Sequence, residues 1–275
     1  MSFNDTFNQS SNVLIGAIHL PSLLGYPHFP GFGTALKNAL IDLEAFEKGG
    51  MNAVIFENNY DLPHKARVDE SVISSLTYLG DKIKQATNLP LGISVLWNDY
   101  RSALAIAKVL DLQFVRVPVF VDTVKTDYGL MVGQPEDVVR YRASIGADKV
   151  ALLTDIHVKH AELVSNHSLT ESAGLAVKHG SDAIILTGKW TGDAPGIQDL
   201  QSLRREVGDF PVLIGSGVDE NNARDLFEYA NGAIVSTSLK QGSNKIGEVN
   251  VKGYEQRIDQ GKVKKLTDSL FSGLS

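Results

Sequence analysis

Eight short runs rich in Val, Ile and Leu recur along the chain, and longer amphipathic stretches separate them. The runs occupy residues 13–19, 53–58, 91–97, 114–119, 150–156, 183–188, 212–216 and 233–238. Most of them are continuously apolar rather than alternating, which is typical of parallel strands that are covered on both faces. The pattern therefore predicts eight parallel strands connected by helices.

The stretches between the runs carry apolar residues at helical spacings of three and four. They predict helices over residues 34–48, 68–86, 99–110, 135–145, 169–178, 197–207, 220–229 and 254–271. Eight such strand–helix units in 275 residues match a (β/α)8 or TIM barrel, a fold of about 250 residues plus insertions. A doubly wound open sheet is the alternative, but no G-x-G-x-x-G motif follows the first run. We predict an α/β protein with one barrel domain over residues 1–275, in which residues 1–12 are a polar N-terminal extension.

The composition excludes several classes of function. Cys is absent, which rules out disulfides, thiolate catalysis and cysteine-based metal sites. The net charge of -6 argues against broad nucleic-acid binding but leaves room for a local anion pocket. No apolar run reaches the roughly 18 residues that a membrane helix needs, and the polar first residues do not resemble a secretory leader. We therefore expect a cytoplasmic protein with no membrane span.

Polar residues stand at the ends of most predicted strands, which in a barrel meet at one functional face. Glu57 ends a strongly apolar strand, where burial would raise the pKa of its carboxyl, and is our candidate general base. Asp155 is its candidate acid or base partner, although either carboxylate could instead only anchor a neighbouring segment. His19 and Arg116 are expected to polarise or orient the substrate. Further candidates for substrate contact are Asn58, Asn98, Asp99, His157 and Gly188.

Two questions about these strand ends stay open. Lys189 follows the sixth run and either supplies positive charge to the pocket, forms an imine with a carbonyl substrate, or lies solvated in a loop. Asp155 and His157 could join His19 and Glu57 as oxygen and nitrogen ligands of a metal ion. No tight motif such as H-E-x-x-H is present, however. We predict neither a metal nor a cofactor.

The loops after the seventh and eighth runs give the strongest local signal. Glycines in the first loop let backbone N–H groups approach an anion, and hydroxyls in the second add donors. These two loops are the usual phosphate site of a (β/α)8 barrel. The alternative is that the glycines only form a turn. The predicted phosphate-binding residues are Gly215, Ser216, Gly217, Val218, Ser236, Thr237 and Ser238.

Two connections are longer than the others, residues 20–33 and 120–134. The first is rich in Pro, Gly and aromatic residues and is expected to cover the pocket as a lid. The second is expected to be either a functional loop or a surface insertion that contacts another subunit. By analogy with other barrels we expect a homo-oligomer.

Several motifs together resemble the BtpA family. They are IGAIHLPSLLGYP (15–27), GGMNAVIFENNYDLP (49–63), SVLWNDYRSALAIA (94–107), FVRVPVFVDTVKTDYG (114–129), LLTDIHVKHAE (152–162), DAIILTGKWTGDAPG (182–196), PVLIGSGVDENNA (211–223) and NGAIVSTSLKQG (231–242). The resemblance covers residues 13–245 and implies a barrel of the ribulose-phosphate-binding type, related to phosphoribosylanthranilate isomerase and the tryptophan synthase α-subunit. Those relatives bind sugar-phosphate-like substrates through loops that match residues 215–218 and 236–238 here. The resemblance also implies a role in photosystem I biogenesis, after which the family is named, and carries over no reaction.

Together these features predict an enzyme that acts on a small phosphorylated metabolite, either a phosphosugar or a phosphoribosyl compound. The predicted chemistry is acid–base isomerisation or lysis. One alternative is a non-catalytic biogenesis or stability factor for a photosystem or another membrane complex. The other is a Schiff-base aldolase that uses Lys189.

Overall fold

The computed structural model describes residues 3–242 and 254–271. The strands of the described residues, in chain order, are β1 (Val13–His19), β2 (Ala53–Glu57), β3 (Leu91–Ser94), β4 (Phe114–Val117), β5 (Thr123–Thr126), β6 (Gly129–Val132), β7 (Ala151–Ile156), β8 (Glu162–Leu163), β9 (Ala183–Leu186), β10 (Val212–Ile214) and β11 (Gly232–Val235). Eight of them close into a parallel barrel in the order β1-β11-β10-β9-β7-β4-β3-β2. The barrel predicted from the eight apolar runs is therefore confirmed.

In the described residues, one short helix, α1 (Phe3–Phe7), precedes the first strand. The other helices follow the barrel strands and cover the outside of the barrel, namely α2 (Phe32–Gly49), α3 (Glu70–Gln85), α4 (Tyr100–Leu110), α5 (Pro135–Ser144), α6 (Leu169–Lys178), α7 (Ile197–Val207), α8 (Ala223–Phe227) and α9 (Gln260–Phe271). Their apolar faces pack on the outward-facing strand residues in one large core. This packing explains why the strands read as continuous apolar runs, because each strand buries both of its faces.

Two helices are shorter than predicted by five residues or more. The helix expected over residues 220–229 is α8, which starts only at Ala223, because the Asp219 carboxylate accepts hydrogen bonds from the backbone N–H groups of Asn221 and Asn222. Such an Asx turn competes with the first helical turn. The helix expected over residues 254–271 is α9, which starts at Gln260. Ile258 lies before it in a bridge to Lys240 and donates its N–H to Asp42.

The N-terminal residues contribute to the barrel core, which their polar composition did not predict. Residues 1–2 of the predicted extension lie outside the described residues, and residues 3–7 form α1. Phe3 and Phe7 are buried with the inward-facing strand residues, and the Phe7 ring centroid lies 5.3 Å from that of Phe114. Because Phe114 begins β4, α1 closes the N-terminal end of the barrel, opposite the functional face.

The long connection over residues 120–134 is not an irregular loop. β5 and β6 form an antiparallel hairpin, and β8 pairs with β5 to complete a small three-stranded sheet. This sheet stands beside the carboxyl ends of the barrel strands, where it packs with Trp97 and Val158. It therefore forms a wall of the pocket described below.

Candidate active site

A polar layer lies above the apolar core of the barrel. Side chains of a strand alternate between its two faces, so a residue two positions after an inward-facing one also points inward. The inward apolar set includes Ala17, Ile55, Phe114, Leu153, Ile185, Leu213 and Ile234. Two positions later on the same strands stand His19, Glu57, Arg116, Asp155, Thr187, Gly215 and Ser236. The register of the barrel thus brings five predicted catalytic or phosphate-binding side chains, together with Gly215, to one level.

Arg116 is the centre of this layer. Its Nε donates to Asp155 Oδ1 at 2.9 Å and its Nη2 to Asp155 Oδ2 at 2.8 Å, a two-point contact. Its Nη1 lies 3.4 Å from Glu57 Oε1. All three side chains are buried. Burial by itself would lower the pKa of Arg116, but the charges of Asp155 and Glu57 outweigh it and raise that pKa above its ordinary value.

His19 lies on the other side of Glu57. Its Nε2 is 4.0 Å from Glu57 Oε2, and its Nδ1 is buried without a hydrogen-bond partner among the described residues. Burial, followed by the positive charges of Lys240, Lys159 and Arg116, holds the pKa of His19 well below its usual range. The imidazole is therefore neutral at pH 7 and can donate or accept a hydrogen bond.

A cavity of about 380 Å³ opens above this layer. His19, Glu57 and Arg116 form part of its floor, and Gly215, Ser216 and Gly217 line it together with Ser236, Thr237 and Ser238. Aromatic and apolar side chains form its outer wall, namely Tyr60, Leu62, His64, Trp97, Tyr128 and His160. The predicted carboxylate and phosphate-binding regions therefore share one cavity, with Asp155 directly beneath it as the partner of Arg116.

The glycine loop after β10 is fixed in shape. Gly217 has a φ of 75°, which favours glycine, and a Cβ there would collide with the backbone of Asp193 and Ala194. The Ser216 hydroxyl accepts a hydrogen bond from the Gly192 N–H at 2.8 Å, so it holds the neighbouring loop. Val218 is buried and does not line the cavity.

The loop after β11 offers a free hydroxyl. Ser236 precedes a short 3-10 helix, Thr237–Leu239. The Ser238 hydroxyl donates to the Val218 carbonyl at 2.7 Å, whereas the buried Ser236 Oγ has no hydrogen-bond partner within the described parts of the chain. An unpartnered buried hydroxyl is costly, so a ligand that hydrogen-bonds to Ser236 would be favoured.

Lys159 lines the same cavity, although the sequence analysis did not single it out. β7 ends at Ile156, and His157 then adopts a left-handed conformation with φ 46°, which redirects the chain. The Lys159 backbone N–H donates a hydrogen bond to the Thr187 hydroxyl at 2.9 Å. This contact holds the Lys159 backbone above the barrel. Burial, followed by the charge of Arg116, lowers the pKa of Lys159 to about 8.

Three predicted substrate-binding residues support loops instead of lining the cavity. Asn58 exchanges hydrogen bonds with the backbone of Leu96. Asn98 does the same with the backbone of Val119. Asp99 caps α4 and also accepts the Val68 N–H. For Asn58 the reason is alternation, because it follows the inward-facing Glu57 and points to the opposite face.

Lys189, Gly188 and His157 border a second, more open cavity of about 360 Å³ beside the first. The Lys189 side chain is exposed, and its Nζ lies 5.7 Å from the centre of the Trp190 ring. Lys159 also borders this second cavity and is thus the lysine that the two cavities share. Of the two lysines, only Lys159 reaches the cavity that holds Glu57 and Arg116.

The covering loops differ from the predicted lid. No residue of the connection 20–33 lines the main cavity. Leu23 in this connection donates its N–H to the Asp61 carboxylate at 2.7 Å, so the connection supports the loop after β2 from behind. That loop contributes Tyr60, Leu62 and His64 to the cavity, and the turn of the β5–β6 hairpin contributes Tyr128.

The position of Arg116 affects whether Glu57 and Asp155 are available to bind a metal ion. Arg116 lies between Glu57 and Asp155, the two carboxylates that the sequence offered as metal ligands. Within residues 3–242 and 254–271, no group of three or more His, Asp or Glu side chains is arranged to hold a metal ion.

Every helix within the same described residues is too short or too polar to span a bilayer.

A closed (β/α)8 barrel with a polar cavity at the carboxyl ends of its strands defines the general class of this protein. The sequence matches the BtpA family over residues 10–269, and the chain belongs to that family. The family resemblance inferred from the motifs is thereby confirmed.

Relatives of the chain come from bacteria, archaea and animals. It is 37% identical to "Photosystem I biogenesis protein BtpA" of Synechocystis sp., in an alignment that covers 100% of this chain and 93% of the relative. It is 35% identical to an uncharacterized protein of Pyrococcus horikoshii, with coverage of 94% and 97%. An uncharacterized mitochondrial protein of Caenorhabditis elegans is 32% identical, with coverage of 94% and 92%.

Solved structures resemble the chain in fold. One is (S)-3-O-geranylgeranylglyceryl phosphate synthase of Thermoplasma acidophilum in complex with sn-glycerol-1-phosphate, with a TM-score of 0.58, 15% identity and coverage of 98% of both chains. Another is phosphoribosyl anthranilate isomerase of Thermus thermophilus, with a TM-score of 0.57, 12% identity and coverage of 95% and 98%. At these identities the likeness concerns the fold alone.

Proposed function

We propose that the chain is an enzyme that binds a small phosphorylated metabolite, a phosphosugar or phosphoribosyl compound, and isomerises or cleaves it by acid–base chemistry. In this proposal the phosphate binds between the loops at residues 215–218 and 236–238, and the carbon skeleton extends over the floor of the cavity. Glu57 moves the proton, Asp155 positions Arg116, and Arg116 and His19 polarise a substrate oxygen.

The observation that carries the proposal is the Ser236 hydroxyl. It is buried and unpartnered among the described residues, and it faces the cavity that Glu57 and Arg116 also line. A phosphate oxygen accepts hydrogen bonds from such a hydroxyl and from the N–H groups of glycine-rich loops. The barrel of similar fold that was solved with sn-glycerol-1-phosphate supports a phosphorylated ligand by analogy.

The first test is a thermal-shift panel of phosphosugars and the matching unphosphorylated sugars. A ligand present at about 100 times its Kd stabilises the native state by roughly 2.7 kcal/mol, which should raise the Tm by about 5 °C or more. We expect this shift with at least one phosphorylated compound and with none of its unphosphorylated counterparts. Absence of any phosphate-dependent shift would contradict the proposal.

The variant for this test is Ser236→Asp, which removes the donor and places a negative charge beside the phosphate. We expect its affinity for the phosphorylated compound to fall at least roughly 100-fold, since like charges in a binding site cost several kcal/mol. Ser144→Asp, an equal charge change on the exposed α5, is the matched control and should bind like the wild type. Gly217 is unsuitable, because any Cβ there collides with backbone.

The second candidate function is a non-catalytic biogenesis or stability factor for a photosystem or another membrane complex. Two observations favour it, namely the name of the Synechocystis relative and three exposed apolar side chains in or next to the small sheet, Leu130, Val132 and Val164. A partner could dock on these side chains. Complementation by a Glu57→Gln chain distinguishes the two functions, since full rescue would favour the assembly role.

Self-association is part of the same proposal. One structure of similar fold consists of monomers that were generated from a dimeric phosphoribosylanthranilate isomerase of Thermotoga maritima, and the dimeric parent supports a homo-oligomer by analogy. Sedimentation velocity on the full chain measures the oligomeric state directly.

A further inference from the structure

We propose that Lys159 is an imine-forming lysine, and that the cavity binds the carbonyl carbon of its substrate covalently. The inference deepens the proposed function and rests on it for the phosphate-binding site. The covalent bond between Lys159 and a carbonyl carbon does not depend on that site. It also transfers the imine chemistry considered for Lys189 to a different residue. The ligand class is an aldose, a ketose or a keto acid in its open carbonyl form.

The position of Lys159 carries the inference. It lines the cavity that holds Glu57 and Arg116, and its backbone is fixed by the hydrogen bond to Thr187. Within the described residues, its Nζ has no carboxylate within 4.0 Å and no hydrogen-bond partner, whereas Arg116 is already bonded to both floor carboxylates. A half-buried lysine left unpaired in a pocket is unusual, because lysines are rarely removed from water without a partner.

The charges around Lys159 favour the reactive neutral amine. Burial and the charge of Arg116 lower the pKa of Lys159, while Glu57 and Asp155 partly offset them, to a net value of about 8. At that pKa about a tenth of the amine is neutral at pH 7, against about one part in a few thousand for an ordinary lysine. The other titratable groups coupled to Lys159 are His19 and His160, and in both of them burial is the largest cause of a lowered pKa.

The chemistry balances without any additional reagent. The Nζ lone pair bonds to the carbonyl carbon to give a carbinolamine, and the C–O bond then breaks as the oxygen leaves as water. The ammonium RNH3⁺ and the carbonyl O=CR2 thus give the iminium RNH⁺=CR2 and H2O, with charge and atoms conserved. The two protons that the nitrogen loses leave on the oxygen, and Glu57, which lines the same cavity, is positioned to relay one of them. The iminium then acidifies the adjacent C–H, which is the proton that an isomerase or lyase must remove.

The experiment is reductive trapping on the full chain. The protein is incubated at pH 7 with dihydroxyacetone phosphate or with dihydroxyacetone, treated with sodium borohydride, and mapped by peptide mass spectrometry. We expect the secondary-amine adduct on Lys159 to form at least roughly tenfold faster than on the exposed Lys48 and Lys189, because the cavity holds the carbonyl near Lys159 and a larger share of its amine is neutral than for an ordinary lysine. Labelling of Lys159 should rise with pH around a midpoint of about 8.

Matched variants separate Lys159 from Lys189. Lys159→Arg keeps the positive charge and should lose the fast adduct, whereas Lys189→Arg should retain it. If Lys159 in the wild type reacts no faster than Lys48, the inference is wrong, and this comparison needs no variant to fold.

The two ketones separate this inference from the proposed function. Fast labelling of Lys159 by both ketones, unchanged in Ser236→Asp, would support the imine and count against the phosphate site. A phosphate-dependent thermal shift without any Lys159 adduct would support the phosphate site and overturn the imine.

Discussion

Replacing Arg116 with Met is expected to lower the free energy of unfolding by about 3–5 kcal/mol. The reason is that Asp155 and Glu57, both buried, would then lose the cation that hydrogen-bonds to both of them. Removing one member of a buried ion pair is costly because the remaining charge stays desolvated. Adding Asp155→Asn to Arg116→Met should recover part of the loss, since one of the two unpaired carboxylates is then neutral.

Chemical denaturation monitored by circular dichroism measures this difference. Arg101→Met is the matched control, because Arg101 donates from Nε and Nη2 to the two carboxylate oxygens of Asp137, as Arg116 does with Asp155, but 37% of its side chain is exposed. An exposed pair contributes little to stability, so the loss for Arg101→Met should be much smaller than the loss for Arg116→Met. Equal losses for Arg116→Met and Arg101→Met would show that the buried carboxylates do not depend on Arg116.

Replacing Glu57 with Gln is expected to lower turnover of the phosphorylated substrate by about 10²- to 10⁴-fold, the usual contribution of a general base. Gln has the shape of Glu but cannot accept and release a proton. The affinity for the substrate should change much less, because the proposed phosphate donors belong to other loops. The measurement is turnover, followed by NMR, of the compound that gives the phosphate-dependent thermal shift.

The control for Glu57→Gln is Glu44→Gln, which makes the same chemical change on the exposed surface of α2. It should leave turnover unaltered. If Glu57→Gln lowered only the affinity and kept the full rate, the assignment of Glu57 as the base would be wrong.

The fold was predictable because the strands of a parallel barrel appear in the sequence as a series of continuous apolar runs separated by helices. Every strand that is covered on both faces is apolar throughout, and each of the eight runs became a barrel strand. The small sheet was missed because β5 and β6 expose much of their surface, and their sequences are therefore not continuously apolar. The role of α1 was missed because only two of its residues, Phe3 and Phe7, are apolar, and the segment around them is polar.

The site was predictable only where it follows strand register. Counting every second residue beyond the apolar core leads to His19, Glu57, Arg116, Asp155 and Ser236. The same count would have found Thr187 and excluded Asn58. The count also lands on Lys159, but β7 ends at Ile156 and the left-handed turn at His157 breaks the alternation, so the count does not predict that Lys159 faces the cavity. The sequence signal that remained was its position in D-I-H-V-K-H, two residues beyond His157.

In the proposed function, the loops at residues 215–218 and 236–238 together bind a phosphate, and the rest of the ligand lies over Glu57 and Arg116. Crystals soaked with ribose 5-phosphate test it most directly. The predicted result is electron density for the phosphate at hydrogen-bond distance, about 2.7–3.2 Å, from Ser236 Oγ and the backbone of the 215–218 loop, with the sugar extending toward Arg116. Ribose 5-phosphate that binds with its phosphate away from Ser236, or that leaves this cavity empty while it binds elsewhere on the chain, would contradict the account.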